Sequence, residues 1–353
     1  MKAWATPDEL ERAAKEALSD EVYEFIAGGA DDEVGLQANL AAFSSRRFRP
    51  GVLAYAGDPD ISTTVLGARL SGPVVVAPMG MHQMVHPDGE RATATAARDA
   101  GIGFTLATGS SVAIEDVATE AGPARWFQLY LLRDRGVSCD LVKRAIAAGF
   151  GAIVLTVDVP VRGNRPRDRR LPGDAPAGVR NANFERYTSI DADYHAYTGD
   201  IEPNIGWDDL TWLTDLAGDT PVIVKGVLRA DDAVRAIDHG AAGIVVSNHG
   251  GRQLGRAAAT LDCLGPVVEA VEDRATVLLD GGVRRAADVA IAVALGADAV
   301  LIGRPVLWSL AVGGGPSVLT LLLDLLDDLR RTLTLLGATS LGDLHADLCD
   351  APR

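Results

Sequence analysis

The stretch GIVVSNHGGRQL, residues 243–254, decides the fold class, because an apolar run ends abruptly in polar residues and glycines. Its first part does not alternate between apolar and polar residues, which is typical of a parallel strand buried on both faces. His249 and Arg252 follow at once, separated by two glycines. The pattern therefore predicts a buried strand whose carboxyl end carries reactive side chains.

Runs of the same kind recur along the chain. The eight predicted strands cover residues 73–80, 103–109, 125–130, 152–158, 221–227, 243–249, 276–282 and 299–305. Segments rich in Ala, Asp, Glu and Arg lie between most of them and are typical of helices, so each strand with its helix forms a βα unit. Eight such units predict an α/β fold, a closed (β/α)8 TIM barrel, and an open doubly wound sheet is the alternative.

Two regions depart from this repeat within what is predicted to be a single domain over residues 1–353. Residues 1–72 precede the first strand and are predicted to form a mostly helical N-terminal extension. Residues 159–220 follow the fourth strand, are rich in Gly, Pro and Asp, and are predicted to form a long loop insertion. An insertion there lies on the catalytic face of a barrel and can act as a lid. The barrel is predicted to cover residues 73–310, and residues 311–353 are predicted to form C-terminal helices that pack on it or on a neighbouring subunit.

Composition and charge argue against several classes of protein. The chain has 353 residues and a formal net charge of −15, which disfavours nucleic acid as a partner. It has no apolar run of roughly 18 residues, so no membrane-spanning helix is expected, and its charged N-terminus does not resemble a secretion signal. The cysteines lie far apart without metal-ligand spacing, which favours reduced thiols and a cytoplasmic protein. His82 and His86 have no evident third ligand, so no metal site is expected.

Polar residues and glycines stand at the predicted strand ends, where barrel enzymes carry their active sites. These residues are Gly80, Gly109, Tyr130, Asp158, Lys225, His249, Asp280 and Arg304. His249 is a candidate general base, and Asp158 is a candidate to orient it. Arg252 and Arg165 can together hold a carboxylate through paired N–H donors. Lys225 can place a positive charge beside an electron-accepting ring, and a salt bridge to a nearby carboxylate is its alternative role.

Glycines and arginines after the last two strands predict an anion site. The motifs DGGVRR and IGRP let backbone N–H groups approach a phosphate closely. Arg284 and Arg304 add planar donor groups that suit phosphate oxygens. Phosphate sites commonly form after the seventh and eighth strands of this fold. A phosphate-bearing cofactor or substrate is therefore expected there.

The motifs SNHGGRQL, TVDVP, FQLY, VKGV, LDGGVRR and IGRP lie at the predicted strand ends and together resemble the FMN-dependent α-hydroxy acid oxidases and dehydrogenases. The likeness covers nearly the whole chain. It implies that FMN is the cofactor and that a small 2-hydroxy acid is oxidised to the 2-oxo acid. Oxygen or another electron acceptor would then take the electrons. Family members are often tetramers, so the resemblance also implies a homo-oligomer.

The resemblance implies a role for each matching residue. It implies that His249 is the active-site base and Asp158 its partner. Arg252 and Arg165 would bind the substrate carboxylate. Tyr130 would hydrogen-bond the substrate near its reacting hydroxyl, and Lys225 would lie beside the flavin ring. The residues implied to contact FMN are Pro78, Met79, Gly80, Gln128, Thr156, Lys225, Ser247, Asp280, Gly282, Arg284, Gly303 and Arg304.

Three departures from the family pattern predict a roomy substrate pocket. Phe25 stands where many members carry a carboxylate-binding tyrosine, Gly109 stands where glycolate oxidase-like members carry a tryptophan, and Gly80 replaces a common alanine. We therefore expect an aromatic 2-hydroxy acid, such as mandelate or 4-hydroxymandelate. A fourth departure, Gly255 in place of an aspartate, has no explanation in the sequence.

Other functions stay open at this point. A dehydrogenase with another electron acceptor, or an oxidase that tailors a peptide or natural product, would use the same residues. Type 2 isopentenyl diphosphate isomerases share the barrel and FMN, but the paired arginines and the histidine disfavour them. A catalytically silent flavin-binding protein is the alternative from a different class, and the intact set of polar residues disfavours it.

Overall fold

The eight predicted strands form a closed barrel in the computed structural model, which describes residues 6–54, 57–170, 179–193 and 197–350. The strands are Val74–Met79, Gly103–Leu106, Arg125–Leu129, Ala152–Thr156, Val222–Val227, Gly243–Val246, Thr276–Leu279 and Ala299–Ile302. All neighbours pair in parallel, and the eighth strand pairs with the first, with Val300 opposite Val74. The predicted (β/α)8 barrel is confirmed, and the open sheet is wrong.

Every strand except the fifth ends earlier in the sequence than the apolar run from which it was predicted. Lys225 therefore lies within its strand, whereas His249, Asp158 and Asp280 lie in the loops that follow theirs. The strands are shorter than predicted because the last residues of each apolar run turn away from the neighbouring strand and no longer pair with it. These loops place the polar side chains at one mouth of the barrel.

Helices follow the strands and pack around the barrel. They are Gly89–Asp99, Ile114–Glu120, Arg135–Ala147, Trp207–Ala217, Ala230–Asp238, Thr260–Val271, Ala286–Ala294 and Arg304–Leu336. The fourth of them buries Leu210, Leu213 and Ala217, which share one helix face. It lies within residues 159–220, so the prediction that this whole range is a loop is wrong. The helix was not predicted from the sequence, because acidic residues in its first turn interrupt the apolar pattern.

The N-terminal extension is only partly helical, which corrects the prediction for residues 1–72. Helices Pro7–Ala17, Asp20–Ala27 and Val34–Ser44 are followed by an antiparallel hairpin of Thr63–Val65 and Ala68–Leu70. Apolar residues of this hairpin pack with the side chains that fill the barrel interior. Strands of this length contain too few residues to show a recognisable alternation.

The last helix, Arg304–Leu336, crosses the boundary predicted at residues 310 and 311, because it begins directly after the eighth strand. Its backbone angles break at Gly313 and Gly314. Contrary to expectation, this helix of the described chain is long and apolar enough by composition to cross a membrane, with a mean hydropathy of 1.7 in its most apolar window. The indication is weak, since 50% of that window is buried within the protein, as in an ordinary core helix.

Candidate active site

A cavity at the mouth of the barrel brings most of the predicted site residues together. Tyr130, Arg165, Lys225, His249 and Arg252 line it. The predicted FMN contacts in its wall are Pro78, Met79, Gly80, Gln128, Lys225, Asp280, Gly282, Arg284, Gly303 and Arg304. The other predicted residues, Asp158, Thr156 and Ser247, lie behind the wall, where each neighbours a residue that lines it.

His249 lies on a left-handed turn that local sequence stabilises. The φ angles are 60° at His249 and 75° at Gly251. The side-chain oxygen of Asn248 accepts a hydrogen bond from the Gly251 N–H at 3.0 Å, and Asn248 also pairs with the side chain of Asn39 at 2.8 and 2.9 Å. A Cβ atom at Gly251 would lie only 2.5 Å from the backbone nitrogen of Leu36. The second glycine of the motif therefore allows the turn to pack against the N-terminal extension.

The two ring nitrogens of His249 have different surroundings. Nδ1 lies 2.9 Å from Oδ1 of Asp158, and Nε2 lies 3.4 Å from the hydroxyl oxygen of Tyr130. Burial lowers the pKa of His249, and the attraction of Asp158 opposes this only in part. Burial acts to raise the pKa of Asp158, but His249 and Lys225 hold it below its ordinary value. The pair at neutral pH is thus a neutral imidazole and a carboxylate, which suits a general base acting through Nε2.

Lys225 is a buried cation with two close partners. Its Nζ lies 3.0 Å from Oδ2 of Asp280 and donates a hydrogen bond to Oγ of Ser247 at 2.9 Å. Burial acts to lower the pKa of Lys225, but Asp280 and Asp158 raise it above its ordinary value. The salt bridge considered as an alternative role is therefore present, and it keeps a positive charge at the cavity wall.

Unsatisfied polar atoms near the cavity fit a bound flavin. Among the described residues, Nε2 of Gln128, Oγ1 of Thr156 and Oδ1 of Asp280 are buried without a hydrogen-bond partner. Buried polar groups nearly always have such a partner, so these atoms indicate a missing polar ligand. The ring edge and the ribityl hydroxyls of FMN offer both donors and acceptors, as these three atoms require.

Two further arginines in the cavity wall, Arg284 and Arg304, fit a phosphate. Burial lowers the pKa of both Arg284 and Arg304, and the neighbouring guanidinium groups add to the effect at Arg304. Within the described chain, neither of them forms an ion pair with a carboxylate. Arg304 donates hydrogen bonds to backbone oxygens of Ile26 and Gly28 at 2.9 and 2.8 Å, which fixes its position. The phosphate of FMN would compensate these two partly buried cations, which have no carboxylate partner in the described chain.

The two predicted clamp arginines lie together, and a carboxylate absent from the sequence prediction lies beside them. Arg165 donates a hydrogen bond to the backbone oxygen of Arg252 at 2.7 Å. Arg252 lies over the ring of Phe25 at 5.3 Å from its centroid, where the family tyrosine would be. Oδ2 of Asp168 lies 3.7 Å from each of these guanidinium groups and 3.0 Å from that of Arg162. The polar segment that carries Asp168 shows no periodicity, so its position was not predictable.

Gly80 and Gly109 do not enlarge the pocket as predicted, because neighbouring atoms already occupy the space that a side chain would take. A Cβ atom at Gly80 would lie 2.5 Å from the backbone oxygen of Gly109. A Cβ atom at Gly109 would lie 2.4 Å from the hydroxyl oxygen of Tyr197, so an aromatic residue of the insertion already takes that space. A Cβ atom at Gly255 would lie 2.4 Å from Oδ2 of Asp31, which explains the fourth departure from the family pattern.

The family model that matches this chain is described as FMN-dependent dehydrogenase and covers residues 14–351. The chain belongs to this family. The resemblance predicted from the motifs and the predicted cofactor, FMN, are confirmed. The unsatisfied polar atoms and partly buried arginines described above are consistent with FMN binding.

Similar proteins include oxidases with several different substrates in their names. L-lactate oxidase of Nostoc sp. is 44% identical over 348 residues, which cover 95% of each chain. Glycolate oxidase 3 of Arabidopsis thaliana is 45% identical over 343 residues, which cover 95% of this chain and 93% of that protein. A solved structure of mandelate oxidase with (S)-4-hydroxymandelic acid has a TM-score of 0.90 at 42% identity, and covers 96% of this chain and 97% of that one.

Proposed function

We propose that this member of the FMN-dependent dehydrogenase family oxidises aromatic 2-hydroxy acids to 2-oxo acids and that oxygen is its electron acceptor. The observation that carries the proposal is the pairing of His249 with Asp158 at 2.9 Å, in one cavity with Arg165 and Arg252. A base and two carboxylate-binding cations together are what proton abstraction from a hydroxy acid requires. The names of the similar proteins, which are oxidases of lactate, glycolate and mandelate, support this class of reaction.

Each side chain in the cavity then has a defined task. Arg165 and Arg252 bind the substrate carboxylate, and the hydroxyl of Tyr130 hydrogen-bonds the substrate oxygen beside the reacting carbon. His249 takes a proton at Nε2, either from that carbon or from its hydroxyl, and Asp158 stabilises the imidazolium that forms. FMN, when bound, supplies the two-electron acceptor. Lys225 keeps a positive charge where the predicted flavin ring would lie.

The aromatic character of the pocket supports the choice of substrate. Phe25, Tyr130 and Tyr197 contribute its aromatic walls, and such walls favour a planar apolar side chain. The similarity to mandelate oxidase structures points the same way. Small acids such as glycolate and lactate are the second candidates, because relatives with those names are equally similar in sequence. Another electron acceptor, a cytoplasmic location and a tetrameric assembly stay predictions.

Anaerobic reduction of the bound flavin by substrate tests the proposal. We expect the wild type to lose its flavin absorbance with (S)-mandelate, and to form peroxide when air is admitted. His249→Ala should retain FMN but be reduced roughly 10²–10⁴-fold more slowly, because the general base is lost. His345→Ala is the matched control, since this histidine is exposed and does not line the cavity.

Two results would contradict the proposal at different levels. If none of (S)-mandelate, L-lactate and glycolate reduces the flavin, the reaction class is wrong. A clearly higher kcat/KM for glycolate than for mandelate would leave the reaction class standing and overturn the aromatic preference.

A further inference from the structure

Tyr197 stands at the wall of the cavity in the space beside Gly109. It is 5% exposed and lines the same cavity as His249 and Arg252. A Cβ atom added at Gly109 would lie 2.4 Å from the Tyr197 hydroxyl oxygen and 2.9 Å from the ring carbon that bears it. Contacts this short do not occur between real atoms. The end of the phenol ring and a side chain at position 109 therefore exclude each other.

Contacts on both sides of Tyr197 fix its ring in this place. The ring packs against Phe184, which is 0% exposed, with the ring centroids 5.3 Å apart. The segment before Phe184 is bound to the loop that carries Gly109, since Nδ2 of Asn183 donates to the backbone oxygen of Thr108 at 3.0 Å. The N–H of Ala182 donates to the backbone oxygen of Ser110 at 2.9 Å in the same loop.

The chain that follows Tyr197 is bound to a second barrel loop. The N–H of Arg133 donates to the backbone oxygen of Asp200 at 2.9 Å, and the N–H of Glu202 donates to that of Leu131 at 2.9 Å. The insertion thus presents Tyr197 from a segment bound to two barrel loops. A ring held in this way acts as a fixed wall of the cavity.

We propose that Tyr197 is a specificity-determining residue, which together with Gly109 sets the largest substrate side chain that the pocket accepts. The inference rests on the proposed function, because it concerns the side chain of the 2-hydroxy acid. Loss of the phenol ring opens the wall and admits a larger aromatic group. A side chain at position 109 displaces the ring into the cavity and reduces the space for mandelate.

Selectivity between two aromatic acids of different size tests this role. The ratio of kcat/KM for naphthylglycolate to that for (S)-mandelate should rise at least about 10-fold in Tyr197→Ala, the scale on which pocket size discriminates between substrates. Tyr197→Leu should change the ratio in the same direction, and it decides the question if Tyr197→Ala does not fold or bind FMN. Tyr197→Phe keeps the ring, so its ratio should stay within about 3-fold of the wild type. FMN content, measured by absorbance, confirms that each variant is folded.

A double-mutant cycle tests the contact between the two positions. Gly109→Ala should lower kcat/KM for mandelate about 10-fold or more in the wild type, and less than about 3-fold in the Tyr197→Ala background. Unchanged selectivity in both Tyr197→Ala and Tyr197→Leu, or equal effects of Gly109→Ala in the two backgrounds, would overturn this inference while mandelate oxidation by the wild type stands. A wild type that oxidises no 2-hydroxy acid would overturn the proposed function itself.

Discussion

A single imidazole with unequal nitrogens governs the chemistry of the pocket. Asp158 holds Nδ1 of His249 at 2.9 Å, so the proton of the neutral ring resides on Nδ1 and the lone pair of Nε2 is the basic site. Burial lowers the pKa of His249 from its ordinary value of 6.5, which favours this neutral form at neutral pH. Asp158 matters most once the ring has taken up a proton, because it then faces a cation.

The pH dependence of the reaction follows from this pair. We expect kcat/KM of the wild type to rise with pH to a plateau, with a midpoint below 6.5, because only neutral His249 accepts a proton. Asp158→Asn removes the attraction that partly raises the pKa of His249, so its midpoint should move to still lower pH. The plateau should also fall, by about 10²-fold or more, since the imidazolium is no longer stabilised. Stopped-flow reduction between pH 4.5 and 8 measures both changes. A midpoint above 6.5, or an upward shift in Asp158→Asn, would show that His249 is not the group that titrates.

At the scale of elements, the turn after the sixth barrel strand determines where His249 stands. Left-handed backbone at His249 and Gly251 is unfavourable for most side chains, and Asn248 offsets this by hydrogen bonds within the turn and to Asn39. The turn thereby connects the barrel to helix Val34–Ser44, which belongs to the N-terminal extension. The extension is therefore part of the active-site support.

Gly251→Ala should destabilise this element. A Cβ atom there would lie 2.5 Å from the backbone nitrogen of Leu36, and the φ angle of 75° is strained for alanine. We expect a cost of roughly 1–3 kcal/mol, seen as a lower Tm of the FMN-bound protein. Gly199→Ala is the control, because a Cβ atom there meets nothing within 4 Å and should leave Tm nearly unchanged. Equal Tm values for the two variants would mean that the turn adapts without strain.

The elements also show which parts of the site the sequence could predict. The barrel strands were predictable because a strand buried on both faces is apolar throughout, and the polar residue after each apolar run indicated the catalytic end. Tyr197 and Asp168 were not predictable, because the insertion lacks periodicity and packing against distant loops determines their positions. The size argument from Gly80 and Gly109 was wrong for the same reason. The sequence shows that positions 80 and 109 lack a side chain. It does not show that the backbone of Gly109 and the ring of Tyr197 occupy that space.

At the scale of the whole molecule, several positively charged side chains line one cavity of a strongly acidic protein. The formal net charge is −15, yet Arg252, Arg284, Arg304 and Lys225 all line one cavity. Lys225 is paired with Asp280, but Arg252 and Arg284 repel Arg304, and this repulsion together with burial lowers the pKa of Arg304. Barrel closure brings these residues together from separate βα units. A negatively charged ligand at Arg304 would therefore stabilise the folded state.

FMN should therefore raise the thermal stability of the whole molecule, and its phosphate should account for part of the effect. At a free concentration of 100 times Kd, a ligand that binds only the folded state adds about 2.7 kcal/mol. Riboflavin has the same ring and ribityl chain but no phosphate, so it should raise Tm less than FMN does at equal concentration. Arg284→Ala should narrow this difference, because one of the two cations at the phosphate end is removed. If riboflavin raises the Tm of the wild type as much as FMN does, Arg284 and Arg304 do not bind the phosphate, and their charges need another partner.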